Sequence, residues 1–231
     1  MPATRIEESL VATASQNEIW SRSEGDRWFR RNQGATSSLN DSPMLQMLAR
    51  SISPGTLETA LEIGCSDGQM SEAISNLFGI TVTGIDPSQA AIESGNLRLQ
   101  GTNELVSLEI GFGSSLPYDS ETFDLVVAGF FLYAEERSLV LQSVSEADRV
   151  VRPGGYLVIV DFDFGRNVRR AYKHDSRLET FKADYPAWLL STGHYHMVAK
   201  QSWTFDGLFF SPEPDSRVAA TLLHKELEPY A

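Results

Sequence analysis

Two carboxylates end short apolar runs and bracket a glycine loop. The first is Glu62 in "ALEIGCSDGQ", followed by Gly64 and Gly68, and the second is Asp86 in "GIDPS", 22 residues past Gly64. A glycine turn after a strand commonly holds phosphate, because backbone N–H groups and the start of the next helix favour an anion. A carboxylate at the mouth of the loop has the opposite preference, repelling a pyrophosphate and attracting a cation. The dinucleotide pattern Gly-x-Gly-x-x-Gly is also poorly matched, since Gln69 stands where the third glycine would come. Asp86 adds a different requirement: an acidic residue at a second strand end can accept both hydroxyls of a ribose. Together they suit a ligand that has a ribose and a positive charge but no phosphates.

Positioning such residues takes alternating strands and helices. Apolar runs predict strands at 57–63, 80–85, 105–110, 122–128 and 156–162, with helices at 67–78, 87–97 and 135–151 between them. Strands apolar nearly throughout are those of parallel sheets buried on both faces. The expected fold class is therefore α/β: a doubly wound, mostly parallel seven-stranded Rossmann-like sheet with helices on both faces and a ligand crevice beyond the carboxyl ends of the strands. Ahead of it, "EESLVATASQNEIW", "EGDRWFRRN" and "SPMLQMLARSI" read as helices, the last with Ser42 as N-cap and Pro43 in its first turn. Residues 1–55 are accordingly expected to form a helical lid and 56–231 the main domain. Within it, 164–193 is a substrate-binding insertion, two late strands span 195–205 and 217–227, and "SPEPDS" is a turn between them.

S-adenosylmethionine, an adenosine joined through a sulfonium to an amino acid, has the features the two carboxylates require. From about residue 57 to 163 the chain resembles the class I S-adenosylmethionine-dependent methyltransferases. "LEIGCSDG" is similar to their first motif, "GIDPS" to the ribose-binding strand end, "GFGSSLPYDSETFDLVVAGFFLY" to the segment running into the fourth strand, and "EADRVVRPGGYLVIVDF" to the part that follows. The resemblance implies a cofactor site of Glu62, Gly64, Cys65, Ser66, Gly68, Asp86, Pro87, Phe112, Gly113, Ser114 and Gly129. In it Glu62 and Gly64 lie near the methionine moiety, Asp86 on the ribose, Gly113 and Ser114 around the adenine, and Gly129 with Phe130 under the cofactor. Two positions depart from the family pattern. Ser66 stands where glycine is usual, which is tolerable if its backbone is not left-handed. Phe112 replaces an aspartate that bonds the adenine amino group, so stacking or backbone contact is expected instead.

On the acceptor side the candidates are fewer. Asp161 and Asp163 end the fifth strand on one face, where either could orient a substrate hydroxyl or amine. His174 and then His194 are candidate bases, because an imidazole accepts a proton near neutral pH; with Asp161 they make up the expected catalytic set. Trp20, Trp28, Phe29 and Tyr133 could cover a sulfonium by cation–π attraction. Cys65 is expected to be a buried thiol rather than a nucleophile. The place of the Asn-Pro-Pro-Tyr motif of amide and nucleobase methylation is taken by "AGFFLY". The flanking segments resemble a bacterial subgroup linked to surface polysaccharide, modified-sugar or small natural-product pathways. The resemblance thus implies an O- or N-methyltransferase of a small polar molecule.

Composition sets outer bounds. The 231 residues carry a net charge of −12 with 42 % hydrophobic residues, which suits a folded domain and disfavours nucleic acid as partner. The start "MPATRIEESL" lacks a secretory signal's pattern, and the longest apolar stretch, about a dozen residues, falls short of the roughly 20 that span a bilayer. One cysteine and four histidines show no metal-ligand spacing, so neither a metal nor a disulfide is expected. A cytoplasmic protein with a small-molecule substrate follows, with a homodimer through the helical prelude left open. The alternative is a non-catalytic cofactor-binding or regulatory protein of the same fold; a nicotinamide oxidoreductase is disfavoured by Glu62.

Overall fold

The computed structural model describes residues 14–33, 42–204, 207 and 209–228. Its strands are β1 (Thr59–Ile63), β2 (Thr81–Asp86), β3 (Val106–Ile110), β4 (Phe123–Gly129), β5 (Val151–Phe162), β6 (Val168–Ala171), β7 (Glu179–Lys182), β8 (Tyr195–Thr204) and β9 (Arg217–Lys225). Seven of them make one sheet in the order β3-β2-β1-β4-β5-β9-β8. The first five run parallel, β9 runs against β5, and β8 runs against β9 and so in the direction of the parallel five. The expected mostly parallel, seven-stranded sheet is present, with β6 and β7 paired as a separate hairpin.

The apolar runs follow from burial on two sides. Leu125 and Val127 of β4 enter one core layer with Ala60, Val82, Val158 and Leu222, whereas Val126 and Ala128 enter the other with Leu61, Ile63, Leu157 and Ile159. Helices α1 (Gln16–Ile19) and α2 (Gly25–Asn32) are joined by a π-helical turn at Trp20–Glu24, and α3 (Pro43–Ser51), α4 (Gln69–Phe78) and α5 (Gln89–Leu99) follow. The first layer is covered by α3, α4 and α5; the second is covered by α6 (Val140–Val150) and α7 (Tyr185–Leu190). Ser42 caps α3 by accepting from the Leu45 amide at 3.5 Å, with Pro43 in its first turn, as the sequence suggests.

Four expectations change. First, α3 is not part of a lid: Met44, Leu45, Met47 and Leu48 are buried in the sheet's own core, which leaves only the described 14–33 above the crevice. The part of the first expected helix before residue 14 lies outside the described residues, its end being α1, and Phe205 of the late strand is outside them too. Second, α6 begins at Val140 rather than 135, because residues 135–139 after the 3-10 turn at Leu132–Ala134 form a turn closed by the Leu139 amide on the Glu136 carbonyl at 2.8 Å. Third, β5 begins at Val151 rather than 156. Its Pro153-Gly154-Gly155 stretch reads as a turn but runs extended past β4 with a register shift there, Gly154 taking a φ of +78°. Fourth, 164–193 is ordered as the β6–β7 hairpin and α7. No helix among the described residues is long and apolar enough to cross a membrane.

Candidate functional site

The strand order reverses between β1 and β4, so connections leave in opposite directions and a crevice opens at their carboxyl ends. Gly64 lies there with a φ of +82°; a Cβ on it would come within 2.7 Å of the Gly129 carbonyl oxygen and 3.2 Å of the Phe131 Cβ. Only glycine fits. The Gly64 and Cys65 amides both donate to the Ile85 carbonyl, at 2.8 and 3.2 Å, and the Gly68 amide closes the turn on the Cys65 carbonyl at 2.9 Å. The Cys65 side chain packs in the core against Gly84, where burial pushes its thiol well up. Gly68, at φ +73°, starts α4 with its Cα against the Leu108 side chain.

Ser66 departs from expectation, for its backbone is left-handed at φ 51°. A non-glycine residue there is strained, and Asp86 holds it in place: the Ser66 amide donates to Asp86 Oδ2 at 3.0 Å while the Ser88 amide donates to Oδ1 at 2.9 Å. Burial pushes Asp86 up to about 6 against the pull of those two bonds. Pro87, half-exposed, leads into Ser88, whose hydroxyl caps α5. On the neighbouring strand, Glu62 is buried and accepts from the Ser71 hydroxyl at 2.5 Å. Desolvation lifts it to about 8 despite that bond. Its other oxygen lies 3.7 Å from where a Gly129 Cβ would stand, so the carboxyl faces the gap between β1 and β4. A protonated acid at neutral pH, it ionises readily when a cation comes within 4–6 Å.

Residues 112–115 follow β3. A Cβ on Gly113 would meet the Phe131 ring at 2.5 Å, so its absence lets that ring lie across the loop. Phe112 is half-buried, and its carbonyl accepts from the Ser115 amide at 3.2 Å. Ser114 is buried and accepts from the Asn17 side chain of α1 at 3.3 Å. Next along the prelude, Asp26 accepts from the Ser88 hydroxyl at 2.8 Å and the Ala90 amide at 3.1 Å, placing a carboxylate on the amino end of α5. Gln16 ties α1 to both sides of the crevice: its amide donates to Glu136 at 3.1 Å and its side chain to the Ala134 carbonyl, while its oxygen accepts from the Glu179 amide of β7. Together these contacts lay 14–33 across the crevice.

Beyond Gly129, Phe130 is a second strained residue at φ 50°. Asp161 is buried at the end of β5, where Oδ2 accepts from the Tyr133 amide at 3.0 Å and Oδ1 from the Phe162 amide at 2.6 Å. Burial pushes it up to about 7. Asp163 is different: Lys200 and Ser202 of β8 bond it, each at 2.9 Å, and it is held below the usual carboxylate range. His174 is exposed on the hairpin, its ring 5.5 Å from that of Tyr172. His194 must be corrected. It precedes Tyr195, which pairs with Lys225, and the adjoining His224 pairs with Tyr156 at the amino end of β5's parallel stretch, whereas Asp161 and the crevice lie at the carboxyl end. β9 runs against β5 and β8 against β9, so β8 runs with the parallel strands and its first residues, His194 just before them, lie at the amino ends of those strands, away from the crevice.

Of the aromatic set, Trp20 lies 5.6 Å from Tyr172 and Tyr133 lies 5.0 Å from Phe162, Phe29 is buried, and Trp28 is half-buried. Sequence reasoning missed Ser71, Asp26, Glu24, Arg31 and Tyr172. Asp26 and Tyr172 meet partners more than 60 residues away and Ser71 meets Glu62 across the loop, whereas Glu24 and Arg31 meet each other seven residues apart on one helical face.

Residues 61–159 match the family model described as "Methyltransferase domain". Over 104 residues the chain is 36 % identical to the demethylmenaquinone methyltransferase of Staphylococcus aureus, a match covering 44 % of this chain and 42 % of that protein. The chain thus spans less than half the length of the curated relatives it matches. Among solved structures it is similar to the Burkholderia thailandensis 1,6-didemethyltoxoflavin-N1-methyltransferase, determined with 1,6-didemethyltoxoflavin and S-adenosylhomocysteine bound. The TM-score is 0.71 at 17 % identity, over 96 % of this chain and 93 % of that one. A Methanosarcina mazei S-adenosylmethionine-dependent methyltransferase aligns with a TM-score of 0.61 at 19 % identity, over 79 % and 98 %. Residues 61–159 thus match a methyltransferase domain, and the sheet order and the fold of the described chain are those of the solved S-adenosylmethionine-dependent methyltransferases it resembles.

Proposed function

We propose that this chain binds S-adenosylmethionine across the ends of β1 and β2 and transfers its methyl group to an oxygen or nitrogen of a small polar molecule, such as a modified sugar or natural-product intermediate. The observation that carries the reading is the pair Glu62, buried, and Asp86, half-buried: two carboxyls either side of a loop that only Gly64 can form, with no basic side chain among the described residues bonded to either. The residues suit the cofactor. Glu62 answers an ammonium group, Asp86 keeps lone pairs for two ribose hydroxyls while accepting two amides, and Gly113, Ser114 and Phe112 flank a flat base. Ser66, Gly68, Pro87 and Cys65 shape the turn through their backbone, and Gly129 leaves room beside Glu62.

When bound, the sulfonium supplies an activated methyl group, so the protein's task is to align the acceptor and exclude water. Alignment alone is worth roughly 7–11 kcal/mol when geometry is good. The prelude 14–33 and the insertion 164–193 close the crevice from above, and Asp161 positions Tyr133 through its amide. His174, exposed beside Tyr172 on the hairpin, is the candidate base. The relatives support a small-molecule acceptor, since one is named for a quinone and another holds a heterocycle.

A calorimetric titration with S-adenosylhomocysteine tests the cofactor site, with NADH as control. Hydrogen bonds to a charged group are worth about 1.5–3 kcal/mol, so Asp86→Ala should weaken binding at least tenfold. Equal affinity in the variant, or preference for NADH, would overturn the reading. Binding without methylation of any extract from the source cell would favour the non-catalytic alternative.

A further inference from the structure

Glu24 ends the π-helical turn of the prelude and is fully buried. Its Oε1 takes the Arg31 guanidinium at 2.5 Å, and with the Tyr172 hydroxyl also close to the carboxylate, its Oε2 still has no hydrogen-bond partner among the described residues. A buried carboxylate oxygen left unbonded is costly and calls for an explanation. Its position gives the cost a purpose. One residue on, Gly25 is pressed against Ser88, and Asp26 bonds the start of α5, which is the ribose side of the crevice. On the other side Arg31 also donates to the Tyr172 hydroxyl of the hairpin at 3.2 Å, and Tyr172 stacks near Trp20. The Tyr133 hydroxyl, after β4, lies within electrostatic reach of Glu24, Arg31, Tyr172 and Asp161. Tyr133 in turn packs edge-on against Phe162. Glu24 therefore stands between the start of α5 and two aromatic pairs, Trp20–Tyr172 between prelude and hairpin and Tyr133–Phe162 at the ends of β4 and β5.

We infer that Glu24 Oε2 recognises the methyl acceptor, and that the acceptor is a planar ring presenting an N–H or O–H donor among Trp20, Tyr133, Phe162 and Tyr172. This rests on the proposed methyl transfer and narrows its substrate class. An aromatic ring suits edge and face contacts with those side chains, and the donor completes the carboxylate that Arg31 leaves half satisfied. Arg31 also fixes polarity. Because a guanidinium only donates, a glutamine at position 24 would turn its carbonyl oxygen to Arg31 and leave an NH2 donor where Oε2 was.

The test uses phenol and indole as donor probes, with anisole and 1-methylindole as matched rings whose donor is methylated. Each is titrated by NMR into the full chain, with and without S-adenosylhomocysteine. The wild type should bind phenol and indole at least tenfold tighter than their methylated counterparts, and Glu24→Gln should abolish or reverse that preference. Equal binding of the paired probes to the wild type would overturn the inference without any variant, as would an unchanged preference in Glu24→Gln. The affinity for S-adenosylhomocysteine alone, measured alongside, reports separately on the cofactor site. If that ligand fails to bind while the donor preference persists, the cofactor reading falls and the role of Glu24 stands.

Discussion

At the scale of single residues, the site is a set of carboxyls kept in their unusual states by what surrounds them. Glu62 is buried with one hydroxyl partner and sits near 8, so at pH 7 it mostly carries a proton. Pairing with an ammonium favours its ionised form and must displace that proton. Affinity for S-adenosylhomocysteine is therefore expected to rise from pH 6 to about 8 and to level off above it, with close to one proton released per ligand bound at pH 7. Titration calorimetry in buffers of different ionisation enthalpy reads this directly, and affinity that is flat or falls over that range would mean Glu62 does not meet the amino group. Gly64 allows a second, cruder prediction. Alanine there combines a left-handed backbone with a 2.7 Å approach to the Gly129 carbonyl, so Gly64→Ala should cost roughly 1–3 kcal/mol of stability and most of the ligand affinity. Gly79→Ala, equally left-handed at the end of α4 but with nothing within 4 Å, controls for the backbone cost, and it should leave binding intact.

At the scale of elements, what could be read in the sequence and what could not divide along a physical line. The parallel strands and α4 and α5 were legible because burial on both faces makes a strand apolar throughout, and because Gly64, Gly68 and Asp86 fall at strand ends. The assignment of α3 to a lid failed because an amphipathic helix carries no mark of which surface it covers; its Met44 and Leu48 chose the sheet. His194 was misplaced for a related reason, since sequence cannot tell that β8 runs in the direction of the parallel strands and leaves its first residues at their amino ends, the far end from the crevice. The hairpin β6–β7, rich in exposed charge, offers almost no alternation to read. The docking of α2 was equally hidden, for Asp26 reaches Ser88 and Ala90 more than 60 residues away. Losing such a capping carboxylate costs about 1 kcal/mol. Asp26→Ala should thus speed amide hydrogen exchange across 16–32 by several-fold while leaving β1, β4 and β5 unchanged. Uniform acceleration through the sheet would show instead that the prelude and the domain open as one unit.

At the scale of the whole molecule, the buried acids set the direction in which stability changes with pH. Asp86, Asp161 and Glu62 are all raised by burial, to about 6, 7 and 8. In the unfolded chain such groups ionise near 4. Between those limits the folded state binds more protons than the unfolded one, so stability falls as pH rises from about 4 through 8, then flattens. The opposing groups act lower: Asp163 and Glu146 are held down by their cationic partners and lose their contribution only as the solution becomes acidic. The net charge of −12 acts in the same direction as the raised acids, since ionising further carboxyls adds to self-repulsion. The ligand-free protein is therefore expected to melt several degrees higher at pH 5.5 than at pH 8.5. A ligand that needs Glu62 and Asp86 ionised supplies most of its stabilisation where the free protein is weakest. Saturating S-adenosylhomocysteine should thus raise the melting point more at pH 8.5 than at pH 5.5, compressing the difference. Thermal denaturation across that range decides the matter: a ligand-free melting point that climbs with pH would mean the three acids are not buried as a group, and the crevice would have to stand open to water.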